Sequence, residues 1–152
     1  SAEKVIVASQ LAGDFLLPSD PEEKLGFIAG GIGVTPFRSH IQYMADSKEA
    51  RDVKLLYCVN FVNELAYREE FAAAATQLPL EVIPVVSKGE IEEGMEQGYV
   101  TAEMLERRVS DYKERTWYIS GPPPMVDAYN ALLKTAGVPS KQIKTDFFPG
   151  VA

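Results

Sequence analysis

Cysteine and histidine are nearly absent: Cys58 and His40 are the only ones in 152 residues. A single thiol cannot close an internal disulfide, and one imidazole beside it cannot complete a multi-cysteine or histidine-rich metal site. Basic charge is also short. Fifteen Lys and Arg stand against 22 Asp and Glu, for a formal charge of −7, and no basic cluster is found, which argues against a nucleic-acid or anionic-membrane partner. No apolar run approaches the ~20 residues that span a bilayer, and residues 1–10 lack the basic-then-apolar layout of a signal peptide. The expectation is a cytoplasmic piece, or one at the cytoplasmic face of a membrane within a larger protein, without membrane insertion of its own. What is present is 46% hydrophobic against 24% charged residues, enough for one compact domain with a core and too little for two.

From Leu25 onward, apolar strand-like runs alternate with helical patterns, the signature of βαβ units and a parallel sheet. The strands predicted are 25–29, 53–59, 80–86, 116–120 and a short fifth at 142–145. Pro84 cannot donate to a ladder, so the third strand should lie at a sheet edge or stop near it. Phe37, Ile41 and Met44 fall at helical spacing, as do Met125, Tyr129, Leu132 and Leu133; Leu65, Phe71 and Ala75 do so less cleanly. A further short helix is predicted from Ala102 to Val109 with Thr101 as its cap. The glutamate- and glycine-rich stretch 88–98 reads as a solvated excursion, since its carboxylates lack the pattern of a calcium loop. The fold class expected is α/β: a doubly wound, mostly parallel five-stranded sheet with helices on both faces, Rossmann-like. Upstream, Lys4–Ser9 reads as a strand, and Gly13–Pro18 as a turn followed by a short extended segment. That pair is either the tail of a preceding domain or a β-arm on this domain's own sheet.

The chemistry is concentrated in Ile28-Ala29-Gly30-Gly31-Ile32-Gly33-Val34-Thr35-Pro36-Phe37, a buried strand that breaks into a glycine turn and enters a helix. Gly31 and Gly33 are expected to take positive φ and to let the backbone approach a bulky ligand. Thr35 is a natural N-cap, and Pro36 fits the first turn, where its missing N–H has no helical partner. The free amides and dipole of such a helix start can hold a pyrophosphate without any basic side chain. The same glycines also serve tight strand-to-helix turns in proteins that bind nothing, and Pro36 stands where the usual dinucleotide fingerprint has its third glycine.

A second strand, rigid turn and helix start is Trp117-Tyr118-Ile119-Ser120-Gly121-Pro122-Pro123-Pro124-Met125, in which consecutive prolines force a stiff, extended approach to Met125. In a doubly wound sheet the first strand and the one on its other side diverge at their carboxyl ends and leave a ligand crevice. The Gly31 and Ser120 turns would form its two walls.

Taken together, Gly31-Ile32-Gly33-Val34-Thr35-Pro36 and Tyr118-Ile119-Ser120-Gly121-Pro122-Pro123-Pro124-Met125 resemble the nicotinamide-nucleotide-binding domain of the ferredoxin-NADP reductase family. Gly13–Pro18 is similar to the junction after that family's flavin barrel, and Thr145-Asp146-Phe147-Phe148-Pro149-Gly150 to its C-terminal ending. No Arg-x-Tyr-Ser/Thr motif for FAD is found, so the resemblance covers one half of a reductase. It implies residues 1–24 as barrel tail and linker and 25–152 as the nucleotide domain. It further implies an NAD(P)H-dependent flavin oxidoreductase activity, hydride transfer to FAD, and onward delivery of electrons to an unidentified acceptor. The FAD would be held by a domain of the same polypeptide or by a partner chain. Gly31, Gly33, Val34, Thr35, Pro36, Asn60, Gly121, Pro122, Pro123 and Met125 would surround the nucleotide. Ser120 stands where plant-type members carry cysteine, and its hydroxyl would reach the nicotinamide amide or else cap a turn. Phe148, with Phe147 as substitute, would stack on the flavin or pack in the domain's own core, and Asp146 would assist the nicotinamide site or simply be solvated.

Many NADPH-using relatives carry an arginine near Asn60, and none is here; Arg68 lies farther on, suited to pairing with Glu64 at i, i+4 spacing, so NADH is favoured over NADPH. Cys58, in a buried strand, is a small core residue, and His40 has no catalytic partner. A non-catalytic nucleotide-binding module and a flavodoxin-like electron carrier remain as alternatives.

Overall fold

A computed structural model describes residues 15–147, so the expectations for residues 1–14 and for Phe148 lie outside the described part. Six strands form one sheet in the order β4-β3-β2-β1-β5-β6. They are β1 (Leu25–Gly30), β2 (Val53–Val59), β3 (Leu80–Val86), β4 (Glu96–Gln97), β5 (Thr116–Gly121) and β6 (Ile143–Phe147), and every neighbouring pair is parallel. The sheet has one strand more than the five expected. β4 is two residues at the end of the acidic stretch 88–98, too short to show a period-two pattern in the sequence, and it pairs only with Val85 and Val86. Beyond those two residues no described strand pairs with the outer edge of β3, which is why Pro84 is tolerated within it.

The alternation along each strand divides the core into two layers. Phe27 and Ala29 of β1, Leu55 and Tyr57 of β2 and Tyr118 of β5 share one layer with Phe37, Ile41 and Met44 of α1 (Thr35–Ser47) and Phe71 and Ala74 of α2 (Arg68–Ala74). Ile28, Leu56, Ile83, Trp117 and Ile119 share the other with Met104 and Leu105 of α3 (Ala102–Arg108) and Val126, Tyr129 and Leu133 of α4 (Pro123–Thr135). Helices therefore cover both faces, and β1, buried along its whole length, is the central strand. At the amino end of the sheet the buried guanidinium of Arg115 donates to the Leu25 carbonyl at 2.7 Å and pairs with Asp52 and Asp111, each at 2.8 Å, tying β1, β2 and β5 together.

Several local expectations need correction. Leu65 is not helical, because a 3-10 turn at Val62–Glu64 precedes it and α2 begins only at Arg68. Residues 16–18 carry no strand. α4 starts at Pro123 rather than at Met125: Pro122 is extended (φ −61°, ψ 147°), and the next two prolines occupy the first turn, where their fixed φ is already helical. Thr101 does cap α3, its hydroxyl accepting the Met104 amide at 3.1 Å.

Candidate functional site

β1 leads through α1 to β2 on one side, and β5 leads through α4 to β6 on the other, so the connections leave the β1–β5 pair on opposite faces. This is the topological switch point where α/β sheets bind ligands, beyond the carboxyl ends of the strands. The chain following β1 makes a 3-10 turn over Gly31–Val34 before α1 begins. Thr35 is therefore the first helical residue (φ −57°, ψ −47°) and not the cap; Val34 takes that place without a side-chain bond. The 3-10 turn has already drawn the chain into helical dihedrals, which leaves Thr35 no extended conformation from which to cap.

The two glycines of the turn differ in their work. Gly31 has φ +56° and nothing within 4 Å of where a side chain would stand, so its backbone is open to a ligand. Gly33 does not take positive φ. A Cβ there would lie 2.3 Å from the Ser120 carbonyl oxygen and 2.8 Å from the Gly121 α-carbon. Its missing side chain lets the β1 turn sit directly on the β5 turn. Gly30 and Gly121 meet in the same way, their α-positions overlaid by the Met125 thioether. The two turns thus touch and form a continuous ledge. Its exposed parts are Gly31, Ile32 and Thr35 on one side and Pro124 on the other, with Pro122, Pro123 and Met125 half-buried between; Val34 turns its side chain into the core.

At this ledge Ser120 is completely buried, and its Oγ has no hydrogen-bond partner among the described residues. Asp146 stands opposite Ser120 in the β5–β6 register, so two of the three sequence-predicted catalytic residues are neighbours. Prolines at the first two positions of α4 remove two amide donors from its N-terminus; in α1 Pro36 has none to give and the Thr35 amide already donates to the Ile32 carbonyl.

Asn60 follows β2 and has its polar groups engaged. Its side-chain oxygen accepts from the Ser87 hydroxyl at 2.8 Å, its carbonyl accepts from the Lys88 amide at 2.8 Å, and its own amide donates to Glu64 Oε1 at 2.9 Å. Glu64 also accepts the Phe61 amide at 3.3 Å. Arg68 pairs with Glu92 at 2.8 Å, not with Glu64 as its spacing suggested, because Arg68 opens α2 while Glu64 lies outside that helix. The Glu64 carboxylate and the Ser87 hydroxyl are the residues that sequence reasoning missed. Glu64, five residues past the end of β2, is the usable signal, although its spacing from Arg68 points to a side-chain pair instead. Large apolar side chains remain exposed on the turns beyond β1 and β2 and near the start of α3: Ile32 at 55%, Phe61 at 45% and Tyr99 at 66%. Cys58 is half-buried beside Tyr129, and desolvation pushes its thiol up to about 12, far from the reactive range. No group of three or more metal-ligating side chains occurs among the described residues, and none of their helices is long and apolar enough to cross a membrane.

The sequence of residues 27–131 matches the family model described as the oxidoreductase NAD-binding domain. The chain belongs to this family. It is 28% identical over 155 residues to oxidoreductase NAD-binding domain-containing protein 1 of Pongo abelii, spanning 90% of this chain and 50% of that protein. Against NADH oxidoreductase HCR of Escherichia coli it is 29% identical over 144 residues, spanning 95% of this chain and 42% of that one. It thus spans half or less of the curated relatives it matches. The fold is shared with the crystal structure of the flavohem-like FAD/NAD-binding domain of nitric oxide dioxygenase from Vibrio cholerae, with a TM-score of 0.78, 22% identity and coverage of 90% of this chain and 55% of that one. The chain is an oxidoreductase NAD-binding domain, and its doubly wound parallel sheet is the fold it shares with that structure.

Proposed function

We propose that this chain is the pyridine-nucleotide half of an NADH-dependent flavin reductase, working with an FAD-binding domain of the same polypeptide or of a partner chain. The observation that supports it most directly is the buried Ser120 hydroxyl, which has no partner among the described residues and lies at the junction of the Gly31 and Pro122 turns. A buried hydroxyl without a partner costs about 1–3 kcal/mol, and a ligand amide at the ledge would recover that cost. The bound nucleotide supplies a hydride from its nicotinamide ring, and the flavin accepts it. The protein's own work is orientation. Gly31 leaves the backbone open for close approach, and the positive dipole end of α1 favours the pyrophosphate. Met125 and the prolines keep the β5 turn stiff, and Ser120 with the adjoining Asp146 fixes the carboxamide end. Ile32, Phe61 and Tyr99 offer apolar surface for the adenosine portion. Phe148, outside the described residues, is assigned to the flavin ring.

The preference for NADH rests on the loop after β2. There a 2′-phosphate would meet the Glu64 carboxylate, while the Arg68 guanidinium is already held by Glu92. The test is stopped-flow reduction of the flavin in the complete flavoprotein. NADH should bleach oxidised flavin with an apparent Kd at least about tenfold below that for NADPH, equivalent to about 1.4 kcal/mol. Absence of flavin reduction by either nucleotide sinks the reading.

A further inference from the structure

Residues 16–24 form no helix or strand, yet they are fastened to this domain like a structural element. The Tyr118 hydroxyl donates to the Leu16 carbonyl at 2.5 Å. Arg51 Nη1 donates to the carbonyls of Pro18 at 3.0 Å and Asp20 at 3.5 Å, while its Nε is held by Glu49 at 2.8 Å. Farther along, the Thr116 hydroxyl bonds the Glu23 carboxylate, the Thr116 amide donates to the Lys24 carbonyl at 3.0 Å, and Lys24 pairs with Asp111 at 3.0 Å. At the near end Phe15, only 2% exposed, lies between Phe37 at 5.7 Å and the Tyr118 ring at 5.2 Å, edge-on.

Arg51 and Tyr118 are themselves 5% and 0% exposed. Burying a guanidinium costs several kcal/mol unless its donors are well used, and a surface loop ordinarily leaves its carbonyls to water. Here two buried donors, from the α1–β2 turn and from β5, are spent on loop carbonyls. Tyr118 also lies two residues before Ser120 on the same side of β5, so the strand that carries the proposed nicotinamide contact is the strand that holds the loop.

We propose that Arg51 and Tyr118 are positioning residues in the arrangement with the FAD-binding domain ahead of this one on the same polypeptide: they hold residues 15–24 rigidly to the nucleotide domain and so fix the direction in which the flavin-bearing portion is led away from it. This rests on the reductase reading above. A fixed lead sets the distance and tilt between the flavin and the nicotinamide before binding, whereas a loose one would spend orientation entropy at every turnover. The residues touch neither ring and act through the backbone of the loop.

The experiment uses the complete flavoprotein with Arg51→Met, Arg51→Lys and Tyr118→Phe, the last keeping the ring and removing one bond. Flavin reduction at saturating NADH is followed by stopped flow, NADH affinity is taken from its concentration dependence, and chymotrypsin cleavage at Phe15–Leu17 reports the loop. The expected result is a first-order reduction rate lowered by about tenfold to a hundredfold in Arg51→Met and less in Tyr118→Phe. NADH affinity should stay within about a factor of two, cleavage should quicken, and Arg51→Lys should recover part of the rate. Faster cleavage with an unchanged reduction rate overturns the proposal, as does a loss confined to NADH affinity. If Arg51→Met does not fold, Tyr118→Phe decides alone by the same criteria. Failure of the unmodified protein to reduce its flavin with NADH overturns the reductase reading instead.

Discussion

Gly33 rests on the backbone of Ser120 so closely that a methyl group on it would stand 2.3 Å from the Ser120 carbonyl oxygen. The contact lies where the turns after β1 and β5 meet, and neither backbone can withdraw without breaking the β1–β5 ladder. Gly33→Ala is therefore expected to destabilise the chain by about 2–4 kcal/mol, in the range of overpacked core sites. Gly31→Ala should cost about 1–2 kcal/mol, the strain of a side chain in the left-handed region, because the space beside it is open. Urea unfolding of both variants orders them. In nucleotide titrations the order reverses in emphasis: Gly31→Ala, still folded, should lose NADH affinity because its methyl group stands where the ligand approaches.

The contrast between these glycines also marks what was legible in the sequence. Strand and helix positions followed from Phe27 and Ile28 alternating across the sheet and from Phe37, Ile41 and Met44 returning at helical spacing, since both are local consequences of burial. The two turns that meet beyond β1 and β5 were legible as turns because glycine and proline restrict the backbone whatever surrounds them. The job of each glycine was not, because Gly33 answers to Ser120, far away in sequence, and Gly31 answers to open space. Thr35 failed as a cap for a related reason: the preceding 3-10 turn is set by the closeness of the β5 turn, which no local pattern announces. β4 and the Arg68–Glu92 pair were hidden likewise, each fixed by an approach of segments distant in the chain.

Glu64 accepts the amides of Asn60 and Phe61, holding the loop after β2 in the shape it would present to a ribose. Glu64→Ala should lower NADH affinity by about three- to tenfold, while changing unfolding free energy by no more than about 1 kcal/mol at this exposed position. Glu64→Gln keeps an acceptor oxygen and removes the charge, so it should retain most NADH affinity and bind NADPH more tightly than the parent. Isothermal titration of both nucleotides against the variants separates loop shape from charge.

His40 lies on α1 among Phe15, Phe27 and Tyr118, with ring centroids 6.4–6.5 Å away. Burial holds its pKa below the ordinary 6.5, with Arg51 acting in the same direction and the Phe15 backbone opposing. The unfolded chain therefore binds a proton at a pH where the folded chain does not. Stability is complete above about 6.5 and falls as pH drops through that value toward the depressed folded pKa. Since His40 is the only histidine, the decline in urea midpoint between about pH 7 and 5 should be largely removed in His40→Gln, once normalised to its own value at neutrality. An equal slope in the variant would assign the decline to other groups. The Asp111 carboxyl acts at lower pH: partial burial pushes it up, but the bonded Arg115 and Lys24 outweigh this and hold it at about 2.

Ser120 offers the sharpest separation of stability from function. Its hydroxyl is buried without a partner among the described residues, so Ser120→Ala removes a group that desolvation penalises and leaves the packing of β5 nearly intact. The melting temperature should stay level or rise, by the equivalent of up to about 1–2 kcal/mol. If the hydroxyl meets the nicotinamide amide, the same substitution in the complete flavoprotein should slow flavin reduction at saturating NADH by about tenfold, the loss of one well-placed hydrogen bond. A hydroxyl that served only the fold would produce the opposite pair of results: a lower melting temperature and an unchanged reduction rate. Thermal unfolding and single-turnover reduction of one variant therefore decide between a residue kept for packing and one kept, against its own desolvation cost, for the nucleotide.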